Sequence, residues 1–182
     1  MEQEEKIFYS RTRDVKKIER GTSEASGLDF FVPVFSTEFI SDLITKNACI
    51  SQIKPGNFEY VIDKANKRIL LAPHAKLMIP SGIKVRGTKY ISLDAANKSG
   101  IGTKKGLDRL AEIVDSDYQG EIHISITNTT PFIIEITEGE KLIQFIQRDV
   151  KLHTPCELPI DELFIEDSER GAGGFGSTNT PK

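Results

Sequence analysis

Apolar and polar residues alternate along much of this chain with a period of two. Ile122, Ile124 and Ile126 are interleaved with His123, Ser125 and Thr127, the pattern of a strand with one buried face. Residues 132–136 read as a second strand and 142–146 as a third, with the turn Thr137-Glu138-Gly139-Glu140 between them. Residues 58–62 and 68–71 flank a polar stretch from Asp63 to Lys67, which predicts a hairpin. Pro80-Ser81-Gly82 then leads into a short strand at 83–85. Many short strands punctuated by glycine and proline predict an all-β barrel or sandwich. Helical spacing is rare. Ser36 is placed to cap a helix running to about Lys46, with Phe39, Ile40, Leu43 and Ile44 on one face. A single helical turn is expected from Pro159 to Leu163. From Ser168 onward the character changes, with four glycines around one phenylalanine. Such a stretch supplies no core, so 1–167 are expected to form one β domain and 168–182 a flexible arm.

Composition removes several function classes. The chain has 182 residues, with 24 Lys and Arg against 27 Asp and Glu, a net charge of −3. That balance argues against a protein built to grip nucleic acid or an anionic membrane. The longest apolar runs, such as Ile69-Leu70-Leu71, are too short to span a bilayer. The charged start Met-Glu-Gln-Glu-Glu-Lys is not that of a signal peptide. Cys49 and Cys156 form no disulfide framework, so a reduced, cytoplasmic setting is expected. His74, His123 and His153 lie far apart, and no HExxH or CxxC spacing exists for a transition metal. A GxSxG elbow and a Walker A lysine are also missing.

Five segments carry the candidate chemistry. They are Ser26-Gly27-Leu28-Asp29-Phe30; Lys98-Ser99-Gly100-Ile101-Gly102-Thr103-Lys104-Lys105-Gly106; Ile113-Val114-Asp115-Ser116-Asp117-Tyr118-Gln119-Gly120; Gly139-Glu140-Lys141-Leu142-Ile143-Gln144; and Arg170-Gly171-Ala172-Gly173-Gly174-Phe175-Gly176-Ser177-Thr178. Taken singly, each has a bland reading. Asp115 could be a turn aspartate, Ser99 a loop serine, Gln144 a surface glutamine and the tail a spacer. In this order they resemble the five-motif pattern of the homotrimeric deoxyuridine triphosphatases (dUTPases). The resemblance runs from about Ser23 to Thr178.

It implies a dUTPase-like, β-clip or jelly-roll-like barrel that assembles as a threefold trimer with shared active sites. It further implies hydrolysis of dUTP to dUMP and pyrophosphate, which clears dUTP from the DNA-precursor pool and supplies dUMP for thymidylate synthesis. Mg²⁺ is the implied cofactor, held mainly by phosphates and water, with no protein ligand named. Such a protein sits in the cytoplasm, or in the host cell's cytoplasm if viral or phage-encoded.

The roles follow residue by residue. By resemblance, Asp115 activates the attacking water and contacts the sugar 3′-hydroxyl, as nucleotide hydrolysis requires of a base. Tyr118 packs its ring on the deoxyribose and excludes a 2′-hydroxyl. Lys98, Ser99, Gly100 and Gln144 hold the phosphate chain, and Asp29 supports that network. Backbone groups of a hairpin from about Leu107 to Ile113 read the uracil. The tail brings Arg170 to the terminal phosphate, Phe175 onto the base, and Gly176, Ser177 and Thr178 around phosphate oxygens, closing as a lid over a neighbouring subunit's site.

Several features depart from the family pattern. Lys98 stands where arginine is usual and lacks its bidentate fork. Glu112 stands where glycine is usual, and Arg109 lies in the uracil hairpin. Residues 36–68 look like an insertion with a helix and a hairpin, of the kind that covers a face, mediates assembly or binds a partner protein. A dCTP deaminase, the related enzyme, needs a glutamate where Ser125 stands, and 122–127 contain no acid. A regulatory protein using the insert is the alternative from another class.

Overall fold

The computed structural model of the chain describes residues 6–48, 59–166, 168 and 171–172. The strands are β1 (Phe8–Arg11), β2 (Glu19–Arg20), β3 (Gly27–Phe31), β4 (Tyr60–Asp63), β5 (Arg68–Leu71), β6 (Lys76–Pro80) and β7 (Ile83–Arg86). They continue with β8 (Ile91–Asn97), β9 (Leu107–Arg109), β10 (Ile113–Val114), β11 (His123–Asn128), β12 (Ile134–Thr137) and β13 (Lys141–Asp149). Helix α1 (Thr37–Ala48) follows β3, a π-helical segment Gly100–Lys105 follows β8, and the single turn α2 (Ile160–Leu163) follows Pro159. The chain divides into two units at Lys151 and Leu152; the first holds every strand and the second holds α2.

Among the described residues every strand pairing is antiparallel. The sheets run β10-β8-β13-β3-β2, β6-β11-β9, β12-β5-β4 and β1-β7. The alternation at 122–126 does what its period requires, because Ile122, Ile124 and Ile126 are all buried. The hairpin around Asp63 to Lys67 is β4 on β5, with Ile62 opposite Ile69. Phe145 of β13 and Phe30 of β3 meet in the core with ring centroids 4.5 Å apart.

Two expectations need correction. The strand predicted from Phe132 begins at Ile134, and Phe132 is 73% exposed. The reason lies in Asn128, which is fully buried. Its amide donates to the carbonyls of Ala72 and Phe132 and its oxygen accepts from Thr130 N–H, committing that backbone to a turn. On α1, the Ser36 hydroxyl accepts from Phe39 N–H at 3.1 Å, as a cap should. The buried stripe, however, is Phe39, Ile40, Leu43 and Asn47, while Ile44 is exposed.

Asn47 has a specific task. Its Oδ1 accepts from Met78 N–H at 2.9 Å and its Nδ2 donates to Met78 C=O at 2.8 Å. Strand β6 is an edge strand, and the amide serves there as the missing neighbour. Asn47→Ala is therefore expected to destabilise the fold by about 1–3 kcal/mol, the cost of leaving such groups unpaired. Urea unfolding measures it, and an unchanged midpoint would contradict the role.

Candidate functional site

The five-stranded sheet brings three of the motifs together. On β13, Gln144 lies opposite Asp29 of β3 on one side and Ala96 of β8 on the other. Asp29 is 2% exposed, so its carboxylate requires partners. It has two: Lys98 Nζ on Oδ1 at 2.5 Å and Lys141 Nζ on Oδ2 at 3.2 Å. Lys141 also meets Glu19 at 2.8 Å. Hydrogen bonds to Glu19, and then to Asp29, raise the Lys141 pKa above its ordinary value. Lys141 and Glu19 were not legible as site residues, since the contacts join β2, β3 and β13.

Gln144 Nε2 donates to Asn97 C=O at 3.3 Å. A Cβ on Gly27 would overlap the Gln144 side chain, so that glycine makes the room Gln144 occupies. After Lys98 the chain turns at once, with the N–H groups of Ile101 and Gly102 both donating to Lys98 C=O at 2.9 Å. Ser99 and Gly100 are exposed where the π-helical segment starts, and a Cβ on Gly100 would meet nothing within 4 Å. Lys105, at the segment's far end, pairs with Glu140. The result is an exposed hydroxyl and glycine beside a fixed glutamine, with two ammonium groups held on one carboxylate. Such a set is suited to a polyanionic chain.

Asp115 and Tyr118 lie elsewhere on the chain. Both are exposed, in a turn closed by Tyr118 N–H donating to Asp115 C=O at 3.1 Å. Among the described residues nothing donates to the Asp115 carboxylate. The Tyr118 hydroxyl donates to Glu121 C=O at 3.0 Å, and its ring occupies the space a Cβ on Gly120 would need. A Cβ on Gly87 would overlap Ser116 C=O, so Gly87 admits this loop against β7. Gly87 was another residue the motifs did not reveal. The loop borders a cavity of about 360 Å³ lined by Asp115, Ser116, Tyr118, Val85, Gly87 and Leu93, among others.

The two groups are apart within one chain. Val114, just before Asp115, pairs with Leu93, whereas Gln144 lies opposite Ala96 and Ile143 opposite Asn97. Leu93 and Asn97 are four residues apart on β8, about 13 Å at the rise of a strand.

The segment from Leu107 to Ile113 also differs from expectation. Its two arms do not pair with each other: β9 pairs with β11 and β10 with β8, so the segment passes between two sheets. Leu107 is buried, which leaves its backbone as the group it can offer, and Ile113 is exposed. The two departures, Arg109 and Glu112, pair with one another at 2.9 Å across the connection. Arg170, Phe175, Gly176, Ser177 and Thr178 lie outside the described residues.

The chain is thus mostly β, with two lysines gathered on Asp29 and, apart from them, an exposed Asp115 beside a cavity. The dUTPase family model matches residues 62–179, and the chain belongs to the dUTPase family. The first motif, at 26–30, lies ahead of that match. A deoxyuridine 5′-triphosphate nucleotidohydrolase of Paramecium bursaria Chlorella virus 1 is 36% identical over 110 residues, 60% of this chain and 75% of that one. Among solved structures, a dUTPase of Staphylococcus bacteriophage 80alpha with dUPNHPP superposes with a TM-score of 0.70 at 17% identity, covering 94% of this chain and 97% of the other. A variant dUTPase of phage phi11 of S. aureus, described as coordinating a structural Mg(II) ion, gives 0.60 at 16% identity over 87% and 99%. The fold is dUTPase-like.

Proposed function

We propose that this chain hydrolyses dUTP to dUMP and pyrophosphate, with Asp115 orienting the attacking water. The observation that carries it is the placement of the third motif. An exposed carboxylate without a competing donor stands one turn from a Tyr118 ring braced on Gly120 and Glu121. The bond broken is that between the α and β phosphates, with the water's proton passing to Asp115 and pyrophosphate leaving. Tyr118 rejects a ribose sterically. Ser99, Gly100 and Gln144 position the phosphates, with Lys98 and Asp29 supporting them, and the backbone of Leu107 and Ile113 reads the base. Arg170, Phe175, Gly176, Ser177 and Thr178 complete the site as a lid.

Among the described residues, no three His, Cys, Asp or Glu side chains gather as a metal cage, and both Asp29 oxygens are taken by lysines. These residues fit a Mg²⁺ that arrives on the triphosphate, where its charge neutralises adjacent phosphates. The separation of Asp115 from Gln144 within one chain supports a site shared between subunits of a trimer. Light scattering is then expected to give about 61 kDa for three chains of 20.3 kDa under C3 symmetry; a fully active monomer would refute sharing. A cytoplasmic location is part of this reading; among the described residues no helix is long and apolar enough to cross a membrane. The insertion at 36–68 is available to a protein partner, and residues 49–58 of it lie outside the described set.

The direct test is pyrophosphate release from dUTP, dCTP, dTTP and UTP side by side. Selective turnover of dUTP is expected, and comparable turnover of dCTP or UTP would sink the proposal.

A further inference from the structure

Arg13 precedes the first motif and belongs to none of the five. Its side chain is nonetheless 8% exposed, and a buried guanidinium must be paired. Its Nε and Nη2 grip the two oxygens of Glu121 at 3.1 and 2.8 Å, a bidentate fork. The same Nη2 donates to Asp42 of α1 at 2.9 Å. Burial opposes the charge on Arg13, but the hydrogen bonds to Glu121 and Asp42 outweigh it and leave its pKa raised. Glu121 is held from a second direction, because Gly82 N–H donates to its Oε1 at 2.6 Å. Gly82 has φ +75°, and a Cβ there would overlap the Arg13 stem. The neighbouring His123 has its pKa lowered by burial, so it adds no charge to the group near neutral pH.

Glu121 is also what holds Tyr118. The Tyr118 hydroxyl donates to the Glu121 carbonyl, and the ring lies against Gly120, the residue just before it. Both supports of the ring therefore sit on a two-residue segment whose side-chain anchor is Arg13. Asp42 extends that anchor to helix α1.

We propose that Arg13, Glu121 and Asp42 are positioning residues that fix the Tyr118 ring, so that helix α1 sets how strictly the site rejects a ribonucleotide. The inference rests on the reading of Tyr118 as the sugar filter. An ion pair that merely stabilised the fold would alter both substrates' rates alike. A positioning unit alters their ratio, because a small displacement of the ring opens space for a 2′-hydroxyl.

The experiment measures kcat/KM for dUTP and UTP in the full-length protein and in Tyr118→Ala, Glu121→Gln, Asp42→Asn and Arg13→Lys. Thermal unfolding of each accompanies the kinetics, and Glu38→Gln on the same helix is the control. Tyr118→Ala is expected to collapse the dUTP preference. Glu121→Gln is expected to reduce it about tenfold and Asp42→Asn about threefold, as misplacement by a fraction of an ångström does. The double variant Asp42→Asn/Glu121→Gln should fall no further than Glu121→Gln alone, because the two act through one guanidinium. Arg13→Lys, which keeps the charge and loses the fork, should lie between them. If Tyr118→Ala leaves the preference intact, the reading of Tyr118 fails. If it collapses the preference while Asp42→Asn and Arg13→Lys leave the ratio at the wild-type value, the filter stands and the positioning unit is overturned. Asp42 is 44% exposed, so its variant decides the matter even if Glu121→Gln does not fold.

Discussion

Replacing Asp115 by asparagine is expected to lower dUTP turnover by about 10²–10⁴-fold, the range a positioned general base supplies. Affinity for a non-hydrolysable analogue should stay near the wild-type value, because the amide keeps the size of the carboxylate and loses only its basicity. Stability should also hold. Asp115 is exposed, and the contact that shapes its turn is made by its backbone carbonyl to Tyr118 N–H, which the substitution leaves in place. The pattern to look for is a fall in kcat with little change in binding or in the unfolding midpoint. Unchanged turnover would remove Asp115 from the mechanism. A parallel loss of binding would make it a ligand contact instead.

Local patterns in the sequence were enough to reveal the parts of this molecule whose physics is local. The isoleucine alternation at 122–126 is a period-two signal that needs no knowledge of the partner strand, and Ser36 caps α1 through a bond three residues long. Motif order carried the family, because its residues are contiguous in each segment. What stayed hidden involves distant pairings. Nothing near Asn47 in sequence announces that its amide completes the edge of β6. Asp29 could be placed beside a basic network, but its second cation, Lys141, is found only once β3 and β13 are in register. The expected hairpin at 107–113 failed for the same reason. The resemblance implied a hairpin there, yet each arm finds its partner in a different sheet, β11 for β9 and β8 for β10. Gly87 belongs with these, since only the approach of Ser116 shows why a side chain is excluded there.

The sheet register leads to the most demanding test of the proposed site. Consider one chain carrying Asp115→Asn and a second carrying Ser99→Ala with Gln144→Ala, each expected to be nearly inactive alone. Co-expressed in equal amounts with different tags and purified as mixed assemblies, they are expected to recover about a third of wild-type activity under threefold closure. A shared site draws Asp115 from one chain and the phosphate-binding group from another. A mixed trimer holds two chains of one kind and one of the other, so one of its three shared sites joins an intact Asp115 to an intact phosphate-binding group. The structure motivates this directly, because Asp115 follows the Leu93 row of β8 while Gln144 and Ser99 belong to its far end. A single-chain site predicts the opposite, since every chain in the mixture is then defective in one half of its own machinery. Mixed assemblies verified by both tags that remain inactive would place the whole site within one chain, and the trimer would lose its mechanistic reason.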